Sequence, residues 1–320
     1  MRVLVTGGAG FIGSHVVDRL MDQGHEVVCY DNLSSGKREF IAQHLQKPEF
    51  RFLEADLLDM ARLNKAMEDV DTVYHIAANP DVKVGAVDTS VHLQQNIIAT
   101  YNVLEAMRRC GVKNILFTST STVYGDAKVI PTPEDYGPLV PISLYGASKL
   151  GCEALITAYA HTFDMRCAIF RFANIVGERS THGVIYDFIN KLRKNPEKLE
   201  ILGDGTQCKS YCHIKDCVDA MFFAWEKQNQ DVGIYNIGSE DYITVKEIAD
   251  IVVEEMQLKN VEYQFTGGVD GGRGWKGDVK VMRLSIEKLK RMGWKPTYNS
   301  GEAVRHTTRV MLRDKKMKCD

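Results

Sequence analysis

Thr6-Gly7-Gly8-Ala9-Gly10-Phe11-Ile12-Gly13 is the most informative stretch of this chain. It follows the β-branched run Met1-Arg2-Val3-Leu4-Val5 and leads into residues 14–23, whose apolar spacing is that of an amphipathic helix. A strand that passes through a glycine turn into a helix leaves backbone N–H groups at a positive helix end, which favours a dianionic pyrophosphate. Gly7 serves the turn, a side chain at Gly10 would obstruct the pyrophosphate, and Gly13 lets the helix lie close to the sheet. Phe11 and Ile12 complete the expected cofactor loop. The next β-branched run, Glu26-Val27-Val28-Cys29-Tyr30, ends in Asp31-Asn32. A carboxylate at that point accepts hydrogen bonds from the adenosine ribose and repels a 2′-phosphate, so NAD is expected rather than NADP. Lys37 and Arg38, just downstream, are the residues that keep NADP open.

Short β-branched runs alternate with helical spacing up to about residue 180, the pattern of a parallel sheet covered by helices. Strands are expected over 2–6, 26–30, 51–54, 72–76, 114–119 and 166–172, with helices near 88–109 and 145–163. Beyond residue 175 the rhythm breaks around Gly203-Asp204-Gly205, Gly238-Ser239 and Gly267-Gly268. Residues 1–175 are therefore expected to form the dinucleotide-binding domain, with some later segments returning to it, and 176–320 mainly a smaller lobe. Two lobes sharing one cleft also suit a chain of 320 residues, since single cores stop growing at roughly 250–300 residues.

Composition narrows the function classes. Hydrophobic residues make up 44% and charged residues 26% of the chain, with a net charge of −2, which does not suit an electrostatic nucleic-acid binder. No apolar run approaches the roughly 18 residues of a membrane span. The N-terminal residues read as a strand with no leader, and a cytoplasmic location is expected. The basic run Arg313-Asp314-Lys315-Lys316-Met317-Lys318 reads as a solvated end. Cysteines 29, 110, 152, 167, 208, 212, 217 and 319 are scattered as reduced thiols are. Cys208, Cys212, His213 and Cys217 cluster without any structural zinc spacing, so they read as packing residues and no metal is expected.

Tyr145-Gly146-Ala147-Ser148-Lys149 opens the second long helix, placing a phenol and an ammonium on one face at i,i+4. A tyrosine is a poor base at neutral pH. A fixed positive charge nearby contributes about 3 kcal/mol at intermediate dielectric, or ~2 pKa units. The expectation is that Lys149 and an oxidised nicotinamide lower the phenol, which then takes a hydroxyl proton while the same carbon gives up hydride.

Together with Thr118-Ser119-Thr120-Ser121-Thr122-Val123-Tyr124-Gly125, these motifs resemble the extended short-chain dehydrogenase/reductase family, specifically its nucleotide-sugar epimerases. The resemblance covers nearly the whole chain. It implies an α/β fold, a Rossmann doubly wound parallel sheet with a smaller C-terminal substrate-binding lobe. It implies that Thr120 hydrogen-bonds the sugar oxygen beside Tyr145 and Lys149, and it adds Ser35, Gly36, Asp56, Leu57, Ala77, Ala78 and Asn96 to the NAD site. Dehydratases of the family carry an Asp-Glu pair after the threonine, and its glucuronate decarboxylases a glutamate at the second position. Ser121 and Thr122 stand there instead. What remains is hydride out and hydride back, which epimerises C4 of a UDP-hexose through a 4-keto sugar, with UDP-glucose/UDP-galactose expected. UDP-N-acetylglucosamine or UDP-glucuronate epimerisation, a dehydratase, and a non-catalytic NAD(H)-sensing module are the alternatives.

For the UDP-sugar the resemblance points to Asn174, Val184, Leu202, Lys209, Tyr211 and Arg273. Three departures stand out. Lys209-Ser210-Tyr211 replaces an Arg-Asp-aromatic segment, so a forked phosphate contact becomes a point charge. Pro80 stands where some epimerases have a lysine, and Phe172 replaces a common tyrosine. Met282 is at the position that gates a 2-acetamido group. The family also implies a homodimer, paired through helices near 88–109 and 145–163.

Overall fold

The structure of the protein, a computed structural model, describes residues 1–313. Cys319 and the C-terminal basic run after Arg313 lie outside the described residues.

Among the described residues fourteen strands run in chain order: β1 (Arg2–Thr6), β2 (Glu26–Asp31), β3 (Phe50–Glu54), β4 (Thr72–His75), β5 (Asn114–Thr120), β6 (Arg166–Phe172), β7 (Asn174–Val176), β8 (Lys198–Ile201), β9 (Cys208–Lys209), β10 (Tyr211–His213), β11 (Val232–Ile237), β12 (Ile243–Thr244), β13 (Glu262–Phe265) and β14 (Val281–Met282). Seven form one sheet in the order β11-β6-β5-β4-β1-β2-β3. The pairings from β3 through β5 are all parallel. Their registers match Thr6 with Tyr30 and with His75, so the carboxyl ends of β1, β2 and β4 share one edge, where ligands of doubly wound sheets bind. The six strands read from the sequence are present, two with the expected bounds and four with one end shifted by a residue. The seventh, β11, lies beyond the break in rhythm and was not expected.

Strands of such a sheet are covered on both faces, which is why they read as continuous apolar runs. Leu4, Val28, Val73, Ile115 and Ile169 are buried in one core with Val103, Leu104 and Met107 of helix Ala99–Cys110 and with Cys152 and Ile156 of helix Leu144–Phe163. The helix expected near 88–109 is built in three pieces, Ser90–His92, a π-type segment over Leu93–Ile98, and Ala99–Cys110. Buried Asn96 lies in the π segment, the kind of irregularity that often marks functional positions.

The chain divides into two compact units. The first comprises Met1–Val123, Ser143–Arg171 and Met221–Tyr235; the second Tyr124–Ile142, Phe172–Ala220 and Asn236–Asp320. Met221–Tyr235, beyond residue 175, is part of the first unit, and Tyr124–Ile142, before it, is part of the second. In the second unit β7 pairs with β10, β9 lies between β12 and β14, and β8 pairs with β13. Its core gathers Ile185, Phe188, Ile189, Leu199, Ile201, Ile248, Val252 and Val304.

Candidate active site

The cofactor loop is built as its glycines require. Gly7 has φ +68°, and a Cβ there would stand 2.8 Å from the Ala77 backbone. A Cβ on Gly13 would lie 2.0 Å from the Gly7 carbonyl oxygen, so helix Phe11–Asp22 can approach the sheet only without a side chain. Gly10 differs, because the one atom near its absent Cβ is Gly7 O at 3.1 Å and the outer side is open. As N-cap it offers no side-chain bond to the helix, leaving the first-turn N–H groups of Phe11 and Ile12 available to an anion. This cradle fits a dinucleotide pyrophosphate.

Asp31 ends β2 almost fully buried, its Oδ2 accepting the Ala9 N–H at 2.9 Å and its Oδ1 the Leu33 N–H at 2.8 Å. Burial raises its pKa, and the two backbone donors oppose the rise. Gly36 packs against the carboxylate so tightly that a Cβ would come within 2.9 Å of it, while neighbouring Ser35 is exposed. Asn32 Nδ2 donates to Asp56 Oδ2 at 2.8 Å, and the Leu57 carbonyl accepts from Asn102 at 3.0 Å. Ala77 and Ala78 follow β4, half-buried, with the Ala77 N–H donating to the Thr6 carbonyl at 3.1 Å. The Thr6 hydroxyl behind them meets His75 Nδ1 at 2.8 Å, and His75 Nε2 meets Thr100 at 2.9 Å. Full burial drives the His75 pKa to about 3, with Lys149 adding to the shift, so the link is neutral. Asn96 accepts the Asn79 N–H at 2.8 Å and donates to Ser148 at 2.9 Å. It ties the chain after Ala78 to the Tyr145 helix.

Thr120, Tyr145 and Lys149 all belong to the first unit, Thr120 at the carboxyl end of β5 and the other two on helix Leu144–Phe163. Ser143 caps that helix, its Oγ accepting the Gly146 N–H at 3.1 Å. The Tyr145 ring packs on His92, centroids 5.6 Å apart, and its phenol is hydrogen-bonded to Thr120. Thr120 Oγ1 itself accepts from the Thr122 N–H and from the Thr122 hydroxyl, each at 3.2 Å. With its lone pairs so occupied, Thr120 is left to donate its proton. Lys149 is buried, with Nζ 4.2 Å from the centroid of the Phe117 ring and no ion pair among the described residues.

One electrostatic expectation is corrected. Burial pushes the Tyr145 phenol up to about 12, opposed by the Thr120 hydrogen bond, and Lys149 is not among the groups that lower it. Burial also pulls the Lys149 ammonium down to about 8, against smaller opposing effects of Cys152 and Glu153. Desolvation is the largest effect on both groups.

Glu153, one further turn along the same helix face, was missed. Its buried carboxylate receives the Ser119 hydroxyl at 2.5 Å and Arg171 Nη2 at 2.7 Å, with Arg171 Nε at 3.1 Å. It thereby ties the helix carrying Tyr145 to the strand end carrying Thr120 and to β6. A glutamate eight residues after Tyr145, on the face that must be buried, was the signal available.

The expected substrate residues lie in the second unit. Asn174 Nδ2 donates to the Ser210 carbonyl at 3.3 Å. Lys209 Nζ is 2.6 Å from Asp278 Oδ1. Arg273 is forked onto Asp126 at 2.9 and 3.0 Å and also donates to the Asp278 carbonyl. Lys209, Arg273 and Asp278 are thus brought together; Leu202 lies beside them, its Cβ 3.8 Å from where a Cβ on Gly274 would stand, and Val184 opens helix Val184–Lys194, both half-buried. Tyr211 is 6% exposed, with its ring in the apolar core, and its phenol is pushed up by burial first and then by the charge of Asp278, the carboxylate that Lys209 holds. Met282 is likewise buried.

Residues 3–238 match the NAD dependent epimerase/dehydratase family. A putative UDP-glucose 4-epimerase of Methanocaldococcus jannaschii is 33% identical over 97% of this chain and 98% of its own. UDP-glucuronic acid decarboxylase 4 of Arabidopsis thaliana is also 33% identical, over 98% of this chain and 68% of its own. A crystal structure of a UDP-galactose 4-epimerase superposes with a TM-score of 0.87 at 45% identity, covering 98% of this chain and 99% of that one. With the glycine cradle, the buried Asp31 and matches along nearly its whole length, the chain belongs to the NAD dependent epimerase/dehydratase family.

Proposed function

We propose that this protein epimerises C4 of a UDP-hexose, UDP-glucose/UDP-galactose, through a 4-keto sugar, with Thr120, Tyr145 and Lys149 as its catalytic residues. The observation that carries the reading is the Thr120–Tyr145 pair beside Lys149, flanked by Thr122, whose hydroxyl is spent on Thr120. A dehydratase or decarboxylase needs a further acid or base there, and a hydroxyl already engaged in orienting Thr120 supplies neither. NAD, when bound in the glycine cradle, supplies the hydride acceptor and donor. Tyr145 takes the proton of the C4 hydroxyl and returns one after the keto sugar has presented its other face, so no net oxidation occurs. Thr120 donates to the C4 oxygen throughout. Lys149, buried one helical turn from Tyr145 on the same helix face, is the nearby cation of the proton transfer in this reading. Asn174, Lys209 and Arg273 hold the sugar diphosphate in this reading, with the latter two exchanging Asp278 and Asp126 for phosphate oxygens.

Purified protein supplied with NAD and offered UDP-glucose, UDP-N-acetylglucosamine or UDP-glucuronate should interconvert UDP-glucose and UDP-galactose. A decarboxylated or dehydrated product would replace this reading with that reaction, and conversion of none would leave an NAD(H)-binding module. Tyr145→Phe should keep NAD binding while turnover falls about 10²–10⁴-fold; undiminished turnover would remove Tyr145 from its role. The reading includes a homodimer, supported by exposed Leu93 and Tyr101 on the segments expected to pair.

A further inference from the structure

Glu178, His213 and His306 meet in the second unit although they are widely separated in sequence. Glu178 follows β7, His213 ends β10, and His306 lies on helix Ser300–Arg313. One carboxylate oxygen and two imidazole nitrogens lie within 4.8 Å of one another. His213 is fully buried, and its Nε2 has no hydrogen-bond partner; its nearest acidic atom is Glu178 Oε2 at 3.6 Å. His306 Nδ1 is likewise buried without a hydrogen bond. Two buried imidazole nitrogens left unsatisfied, one of them 3.6 Å from a carboxylate oxygen, are costly unless something fills the space among these residues. Donor atoms around a tetrahedral zinc at ~2.1 Å are about 3.4 Å apart, so contraction by at most about 1.4 Å completes the set.

We propose that Glu178, His213 and His306 form a binding site for a divalent transition metal of the zinc class. Two imidazoles and a carboxylate are the donor set such ions prefer over magnesium or calcium. None of Cys208, Cys212 and Cys217 joins the cluster. The ion enters beside Glu178 and His306, which are only partly buried. Two contacts are given up on binding. The Lys215 N–H donates to His213 Nδ1 at 3.3 Å, and ligation through Nε2 places the imidazole proton on Nδ1, ending that bond. Lys215 Nζ, 3.6 Å from Glu178 Oε1, turns to solvent. The bound ion fastens helix Ser300–Arg313 to the β7–β10 pair and fixes Glu178, four residues from Asn174.

The test uses the full chain, stripped with a chelator and titrated with zinc sulfate by calorimetry, then with cobalt(II) followed by visible absorption. One equivalent should bind per chain, raise the melting temperature and give cobalt ligand-field bands without thiolate charge transfer. His306→Gln and Glu178→Gln, at partly exposed positions, should melt as the stripped wild type does, yet bind zinc at least about tenfold more weakly and lose the cobalt bands. Wild-type affinity in both variants, thiolate-type cobalt spectra, or no saturable binding by the wild type would each overturn the proposal. Activity of the enzyme is not needed for any arm.

Discussion

Lys149 and Lys209 carry the same side chain into opposite situations. Lys149 is 2% exposed over the Phe117 ring and has no counter-ion among the described residues, whereas Lys209 sits 2.6 Å from the Asp278 carboxylate. A bare buried ammonium is costly to hold, and burial has pulled it down to about 8. A paired one is tolerated but must exchange its partner before it can hold a ligand. The contrast separates two tasks. In the proposed reading, the lysine beside Tyr145 is left without a counter-ion for the chemistry, and the lysine of the second unit gives up its carboxylate when a diphosphate binds.

Removing each charge should show whether that division is real. Lys149→Met is expected to lower turnover about 10²–10⁴-fold with a smaller change in KM. If only KM moved, Lys149 would be a binding residue like Lys209 and the contrast would dissolve. Next in size, Glu153→Ala should destabilise the protein by about 3–5 kcal/mol in denaturant unfolding, because Arg171 is left buried without its partner. A loss under ~1 kcal/mol would mean that the Ser119–Glu153–Arg171 tie does not hold the helix to the strand.

A smaller effect follows from linkage. The folded pKa of Lys149, about 8, lies below the unfolded value of about 10.4, so between these values the unfolded chain binds more protons. This lysine's contribution to stability therefore rises with pH across that window, by on the order of 3 kcal/mol in all. Buried cysteines and tyrosines titrate in the opposite sense, as the raised values of Cys152 and Tyr145 illustrate. The quantity to measure is thus wild type minus Lys149→Met, from denaturation at several pH values. A flat difference would show that the ammonium is better solvated than its burial implies. Smallest should be Lys209→Met, raising KM for the nucleotide sugar about tenfold with kcat nearly unchanged; a drop in kcat instead would place Lys209 beside the chemistry.

Residues adjacent in sequence carried most of what could be read without coordinates. The glycine loop, Asp31 and the Tyr145–Lys149 spacing are local patterns whose geometry follows from helix and strand periodicity. They sufficed for a parallel sheet and NAD, and for the expectation of a proton-transfer pair. The seventh strand was hidden because Val232–Ile237 resembles any short apolar run, and only its place beside β6 makes it part of the sheet. Tyr211 was expected as a ligand from its place in the chain; that its ring joins the core while β10 is buried along its whole length needed the fold.

By itself the sequence determined which backbone segments turn, which helix face carries a phenol and an ammonium, and which acids are missing after Thr120, since each depends on residues a few positions apart. Only the tertiary structure decided the protonation balance of Tyr145 and Lys149, the Glu153 tie, and the meeting of Glu178 with His213 and His306. Desolvation and distant contacts govern those, and burial and proximity across a hundred residues exist only once the chain has folded.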